Sequence, residues 1–144
     1  MIEYLPIPRV PDHLVIQSFE EYNDLELASP KEVEELDIYS LRKANNIDLE
    51  KFLQPYFDFD LTSRVYYQYI GANVPIHIDI GRTFSFNYII NTGGESVSTI
   101  WYEIDEKTIL RSEIIPKFVW HKFISDIPHN VVGMVDKRFG LTVF

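Results

Sequence analysis

Residues 64–90 read, in order, RVYYQYI, GAN, VPIHIDI, GR and TFSFNYII. The three longer runs are rich in β-branched and aromatic residues and tend to alternate between apolar and polar positions. This alternation has the period of a strand with one buried face. The breaks between the runs are too short to hold a crossover helix, so neighbouring runs must pair antiparallel. The stretch therefore predicts an antiparallel β structure.

The same pattern continues to residue 144 and gives eight candidate strands. Glycine, asparagine, aspartate and proline at the breaks favour tight turns. Eight short antiparallel strands without intervening helices close most readily as a two-sheet jelly roll or a small barrel. We predict a mainly β fold, with strands at 64–70, 74–80, 83–90, 97–103, 107–115, 117–124, 130–135 and 137–144.

The helix signals lie in the first part of the chain. Residues 29–32, Ser-Pro-Lys-Glu, fit a capping box with proline in the first turn and predict a short helix toward Asp37. Asn46 fits the N-cap of a second short helix that ends near Pro55.

Length and composition indicate one folded domain. The chain has 144 residues, of which 46% are hydrophobic and 15% aromatic, enough for a full core. We expect a single domain over 1–144, with an N-terminal helical and extended addition over 1–63 and a β core over 64–144. There is no cysteine, so disulfides, thiolate metal sites and cysteine nucleophiles are excluded. Any metal must be bound by histidine, aspartate and glutamate.

Net charge and hydropathy limit the cellular location and the classes of partner that we expect for the protein. With 13 Lys+Arg against 22 Asp+Glu, the net charge of −9 disfavours nucleic acid and anionic membranes as partners. No run approaches the roughly 20 apolar residues of a membrane span. The first residues lack a basic and an apolar signal-peptide region. We therefore expect a cytoplasmic protein.

One of the four histidines stands in an informative tripeptide, His77-Ile78-Asp79. In a strand, residues two apart point to the same face, so His77 and Asp79 would project together while Ile76, Ile78 and Ile80 pack on the other side. An imidazole beside a carboxylate supplies two ligands of a 2-His-1-carboxylate site, which suits Fe(II). The pair is equally consistent with an ordinary structural hydrogen bond.

Two later residues strengthen the metal hypothesis. His129 follows about 50 residues after His77, and Arg138 lies on the last predicted strand, where it shares a face with Gly140 and Thr142. An inward-facing guanidinium is costly unless an anion pairs with it, and its planar donors suit a carboxylate. A surface arginine paired with one of the many acids would have the same sequence.

The order H-x-D, H and R in an all-β chain resembles the 2-oxoglutarate/Fe(II)-dependent oxygenases. The resemblance covers residues 64–144, which correspond to the double-stranded β-helix core of that family. Residues 69–71 and 75–79 look like the tyrosine, glycine, proline and H-x-D run of its prolyl-hydroxylase-like branch. Segments that resemble the small bacterial and phage members are 86–91, 93–95, 101–102 and 128–131.

The resemblance implies a metal site and an anion site. His77, Asp79 and His129 would be the Fe(II) ligands, and Arg138 would bind the C5 carboxylate of the co-substrate 2-oxoglutarate. Within the metal site, no further catalytic side chain is implied.

The resemblance also suggests further co-substrate contacts. Tyr67, Tyr69 and Asn87 are candidates by position, although tyrosines on strands mostly pack and Asn87 could face solvent. Members of the family often have Ser or Thr two residues after the arginine. Here that position is Gly140, and Thr142 lies farther along the same face.

The implied activity is that of a non-haem Fe(II)- and 2-oxoglutarate-dependent dioxygenase, a hydroxylase of a small molecule or a peptide side chain. Two alternatives stay open. One is a jelly roll without catalysis, a binding or structural module such as a degenerate family member. The other is a cupin-type metal protein, although the usual H-x-H pattern of cupins is absent. An exposed edge strand could also pair across a two-fold axis in a homodimer.

The two remaining histidines have structural interpretations. His13 follows Asp12 in the N-terminal region and is expected at the surface. His121 alternates with Val119 and Phe123 on its strand and is expected to be a packing histidine.

Overall fold

We describe the chain from a computed structural model that covers the backbone of residues 1–28 and 38–144 and the side chains of 1–24 and 38–144. The N-terminal part contains β1 (Ile2–Tyr4), α1 (Asp12–Ala28), β2 (Tyr39–Lys43), α2 (Ile47–Leu53) and a 3-10 turn (Gln54–Tyr56). The rest is β structure: β3 (Val65–Ile70), β4 (Val74–His77), β5 (Phe84–Asn91), β6 (Ser98–Tyr102), β7 (Ile109–Glu113), β8 (Trp120–Ile124), β9 (His129–Val132) and β10 (Arg138–Val143).

The strands form two antiparallel sheets. The larger sheet has the order β1-β8-β5-β10-β3-β2, and the smaller sheet has the order β4-β9-β6-β7. From β3 to β10 the chain contributes four strands to each sheet, and the last strand pairs between the first and the third. This is a jelly roll of the double-stranded β-helix type, and it confirms the predicted fold class.

The main apolar core lies outside this sandwich, between the larger sheet and the N-terminal part. Alternate residues of β3 and β10, among them Val65 and Leu141, point to this outer face. Leu14 of α1 and Leu49 of α2 pack against them. The two helices therefore shield one face of the larger sheet, and the other face is left to line the space between the sheets.

The N-terminal part differs from its sequence-based description. Helix α2 is confirmed, and its N-cap Asn46 accepts a hydrogen bond from the backbone of Leu49 at 3.1 Å. The predicted helix over 29–37 lies outside the described residues. Helix α1 was missed, because its buried positions include a serine, Ser18, whose hydroxyl donates to the Leu14 carbonyl. Among the described residues, no helix is both long and apolar enough to cross a membrane.

Two short strands were also missed, and they extend the larger sheet. β1 pairs with β8 at one edge, and β2 pairs with β3 at the other. A strand of three to five residues shows too little alternation to be recognised alone, and it forms because an existing edge offers unpaired backbone groups.

Strand β4 is shorter than predicted, which corrects one interpretation. It ends at His77, so Asp79 lies in the loop beyond it. Ile78 and Ile80 do not pack on an opposite face as expected, since they are 45% and 99% exposed. The register of β4 against β9 shifts between Val74 and His77, which shortens the regular ladder.

Candidate metal and anion site

Two histidines meet across neighbouring strands of the smaller sheet. His77 is the last residue of β4 and His129 the first of β9, and the two are register partners. Their ring centroids are 4.4 Å apart. Antiparallel pairing of two strand ends thus joins residues that are far apart in sequence.

Backbone carbonyls set the orientation of both rings. Nδ1 of His77 lies 2.8 Å from the Pro75 carbonyl, and Nδ1 of His129 lies 2.7 Å from the Ile127 carbonyl. A carbonyl oxygen only accepts, so each Nδ1 carries a proton and Nε2 is the ring nitrogen that is turned toward a metal. This is the tautomer that a metal-ligating histidine needs.

The loop after β4 brings a carboxylate to the same point. Oδ1 of Asp79 is 3.3 Å from Nε2 of His77 and 3.9 Å from Nε2 of His129. Its other oxygen, Oδ2, accepts from Nε and Nη2 of Arg82 at 3.1 and 3.0 Å. The backbone N–H of Asp79 donates to the Ser125 carbonyl. The carboxylate is therefore held with one oxygen turned toward the histidines.

His77, Asp79 and His129, hereafter the triad, could bind a metal ion. One ligand atom from each lies within 4.8 Å of the others. Atoms about 2.1 Å from a metal and about 90° apart lie about 3 Å from one another, so small adjustments would suffice. Two imidazoles and one carboxylate form the donor set of a facial site with open positions, which suits Fe(II).

The electrostatics of the triad depend on burial and on its charged neighbours. Burial would raise the pKa of Asp79, but the hydrogen bond with His77 and the charge of Arg82 outweigh it and lower that pKa. The hydrogen bond to Asp79 raises the pKa of His77. Burial lowers the pKa of His129, which favours its neutral, ligating form.

The triad faces a cavity between the two sheets. Its volume is about 60 Å³, room for roughly two water molecules at about 30 Å³ each. The larger sheet contributes its inner face, and the smaller sheet contributes β4, β6 and β9. The polar residues of the larger sheet that line it are Tyr39, Gln68, Ser85, Asn87, His121 and Arg138.

Arg138 enters this cavity without a negative partner. It is 5% exposed, and its Nε donates to the Thr92 carbonyl at 2.9 Å. Its Nη2 is buried without a hydrogen-bond partner. No carboxylate of the described residues lies within ion-pair distance of it, and burial lowers its pKa to about 10. A guanidinium in this position is suited to an anion that enters the cavity.

Asn87 and Thr142 form a buried pair across β5 and β10. Asn87 lines the cavity, and its side-chain oxygen accepts from the Thr142 hydroxyl at 2.6 Å. Thr142 itself does not reach the lining, so its observed role is to orient Asn87. At Gly140, where the family often has Ser or Thr, a Cβ would lie 2.5 Å from the Tyr88 carbonyl oxygen. The close approach of β10 to β5 therefore explains the glycine.

Tyr67 and Tyr69 do not contact the cavity, so their expected co-substrate role is corrected. Both point to the outer face of β3, because alternation gives the inner face to Gln68 and Ile70. The Tyr67 hydroxyl donates to Glu21 of α1. The Tyr69 ring stacks on Tyr22, with centroids 5.7 Å apart.

Comparisons with known proteins give a structural likeness. No protein-family model matches this chain, and no curated protein matches it. It is similar to a crystal structure of an oxidoreductase of the 2OG-Fe(II) oxygenase family from Burkholderia pseudomallei, with 11% sequence identity and a TM-score of 0.46. The match covers 69% of this chain and 52% of that one, so the chain spans about half the length of that structure. The fold class rests on the strand order described above.

Sequence reasoning missed two residues of this site. Arg82 follows Asp79 by three residues, a spacing within one loop that could have suggested the contact. His121 was expected to pack, but it lines the cavity on the same face as Phe123. The alternation along β8 does not show which face of the sheet is turned to the apolar core and which to the cavity. That depends on how the strands assemble.

Proposed function

We propose that this chain is a non-haem Fe(II)- and 2-oxoglutarate-dependent oxygenase, a hydroxylase of a small molecule or a peptide side chain. One observation carries the proposal: the triad lines the same cavity as a buried arginine to which the described residues offer no counter-ion. The triad supplies the donor set for Fe(II), and Arg138 supplies the cation for a carboxylate. A metal site alone would not need the arginine.

The protein side chains would bind the metal and the co-substrate, orient them and shield the site. Fe(II), 2-oxoglutarate and O₂ together supply the oxidation of a substrate C–H bond, coupled to decarboxylation of 2-oxoglutarate to succinate and CO₂. Arg138 would hold the distal carboxylate of the co-substrate and so fix its position relative to the triad. The carbonyl-anchored rings of His77 and His129 would turn Nε2 toward the metal, and Arg82 would keep Asp79 in place.

A wider hollow beside the triad is the proposed substrate entrance. Its volume is about 510 Å³, and it borders His77 and Asp79. Tyr39, Ile80 and Phe144 give it an apolar lining. A hollow of this size admits a small molecule or one extended side chain.

The test is an anaerobic titration of the protein with Fe(II) and 2-oxoglutarate, followed by absorbance. We expect a weak metal-to-ligand charge-transfer band, and slow succinate formation once air is admitted. His77→Ala should abolish both, whereas His13→Ala, at an exposed position of α1, should leave both unchanged. Absence of the band together with absence of succinate would overturn the proposal and favour a non-catalytic binding module.

A further inference from the structure

His121 is a buried histidine that the metal site does not use. It lies on β8, is 1% exposed, and lines the same cavity as Arg138. Its register partners are Tyr4 of β1 on one side and Asn87 of β5 on the other. It therefore stands on the inner face of the larger sheet, next to the Asn87 side chain.

One ring nitrogen of His121 is already engaged. Nδ1 lies 3.2 Å from the Val119 carbonyl and must be the donor in that contact, so in the neutral ring Nε2 carries the lone pair. This contact uses Nδ1 alone, so Nε2 is the ring nitrogen that is left for a ligand. Nη2 of Arg138, which is buried without a hydrogen-bond partner, lines the same cavity from the same sheet.

The charged and titratable groups around His121 come from several elements. Arg138 of β10 acts on it electrostatically from within the cavity. Tyr4 of β1 meets its ring edge-on at 6.3 Å, and the Tyr4 hydroxyl donates to Glu113 of β7. The triad lines the same cavity from the smaller sheet. The part of the cavity that His121 and Arg138 line from the larger sheet is hereafter called the arginine end.

We propose, building on the proposed function, that His121 is a second ligand for the distal carboxylate of 2-oxoglutarate and takes up one proton from solvent when the co-substrate binds. A carboxylate only accepts hydrogen bonds, and so does Nε2 of a neutral ring. The two would repel at hydrogen-bond distance. Protonation of Nε2 converts the ring to a donor on both nitrogens, so that His121 and Arg138 hold the anion together.

The charges of the arginine end explain why this proton is absent before binding. Burial and the neighbouring Arg138 lower the pKa of His121 to about 4, so the ring is neutral near pH 7. An entering carboxylate neutralises Arg138 and attracts the imidazolium of His121. The electrostatic effect of the site then raises the pKa of His121, where before binding it lowered that pKa. Between the pKa of the free ring and that of the bound ring, one proton enters per ligand, and the affinity falls about tenfold for each unit of rising pH.

The experiment is isothermal titration calorimetry of the Mn(II)-loaded protein with 2-oxoglutarate. Mn(II) keeps the triad nitrogens occupied, so that they exchange no protons. Titration at one pH in two buffers of different ionisation heat counts the protons taken up. We expect about one proton for the wild-type chain and for the surface control His13→Gln. His121→Gln should bind more weakly, with an uptake near zero and a flat pH dependence of Kd.

Two results would overturn the assignment. Binding of 2-oxoglutarate without proton uptake by the wild-type chain would exclude it and leave the proposed function intact. Retention of the wild-type proton uptake by His121→Gln would likewise exclude the assignment and leave the proposed function intact. Failure of the Mn(II)-loaded wild-type chain to bind 2-oxoglutarate would overturn the proposed function and this assignment together. The wild-type proton count needs no variant, so it decides the question even if His121→Gln does not fold.

Discussion

At the residue scale, Arg138 is a buried cation that no acid of the described residues compensates. Replacing buried charged groups with apolar side chains often stabilises a protein by about 1–4 kcal/mol. Arg138→Met gives up the bond to Thr92, worth about 1 kcal/mol. We expect a net rise in the free energy of unfolding of about 0–3 kcal/mol for the ligand-free protein, measured by urea denaturation.

The same substitution should remove the response to co-substrate. For the Mn(II)-loaded wild-type chain, 2-oxoglutarate at 100 times its Kd should add about 2.7 kcal/mol of stability. Arg138→Met should gain nothing from the ligand. Arg111→Met, at a half-exposed arginine paired with Glu113, is the control for removing a positive charge. Destabilisation of ligand-free Arg138→Met would show that the protein already compensates the guanidinium.

Arg82 is a positioning residue, because it acts on the metal site through Asp79. Arg82→Gln frees the Oδ2 atom of that carboxylate, and loss of such a supporting contact typically weakens metal binding about 10–100-fold. Fluorescence-monitored Mn(II) titration measures the affinity. Arg111→Gln removes an arginine–carboxylate pair elsewhere and should keep the wild-type affinity. An unchanged affinity in Arg82→Gln would mean that the metal alone orients Asp79.

The low pKa of His121 predicts an acid-sensitive stability. The ring titrates at 6.5 when unfolded and at about 4 when folded, so between these values the unfolded chain binds more protons. Stability is therefore complete above pH 6.5 and falls by about 3 kcal/mol as the pH drops to 4. His77 and His129 titrate too, so the measured quantity is the difference in slope between wild-type and His121→Gln protein in urea unfolding at several pH values. Equal slopes would refute the prediction.

At the element scale, strands β5 and β10 approach closely where the register shifts between Phe139 and Gly140. A Cβ at Gly140 meets a backbone carbonyl oxygen, which cannot move without disturbing the ladder. Gly140→Ala should cost about 1–3 kcal/mol or more, seen as a lower Tm.

Gly81→Ala is the control for this steric effect. A Cβ there meets no atom within 4 Å, and the change costs only what a φ of +87° imposes, about 1–2 kcal/mol. A smaller loss for Gly140→Ala than for Gly81→Ala would show that the strands separate easily.

The strands also show which features of the fold could be predicted from the sequence alone. Alternation located all eight core strands, because a half-buried strand repeats every two residues. It could not assign faces, so Tyr67 and Tyr69 were placed at the co-substrate although they pack under α1. It could not find where β4 ends, because Ile78 and Ile80 continue the apolar pattern into an exposed loop.

The site was predictable to a similar extent. His77, Asp79, His129 and Arg138 were chosen from their order and from a resemblance, and the structure brings all four to one cavity. The polar surroundings were not predictable, because Arg82 and His121 reach the cavity through the loop after β4 and the pairing of β8. Such contacts depend on the assembled fold and leave no local pattern.

At the scale of the whole molecule, the largest apolar core is shared by the N-terminal part and the β sandwich. Leu14 of α1 is 3% exposed within it, so Leu14→Ala should lower the free energy of unfolding by about 2–5 kcal/mol. Ile16, two residues on and 57% exposed, provides the matched control, and Ile16→Ala should have little effect.

The shared core further predicts one cooperative transition. In urea, the helical circular dichroism signal, which comes from α1 and α2, and loss of Mn(II) binding should report the same midpoint for Leu14→Ala, shifted from that of the wild-type chain. Two separated midpoints would show that residues 1–63 unfold independently of the β core.

The pairing of β4 with β9 has a consequence for the order of folding. The two histidines belong to strands that are distant in the chain, and they meet only in one alignment. A slip of β9 by a single residue would turn His129 to the opposite face of the sheet. Metal uptake during refolding therefore reports when the smaller sheet has closed in its native register. The triad thus reports on a pairing between strand ends that lie 129 − 77 = 52 residues apart, the kind of non-local contact that slows folding.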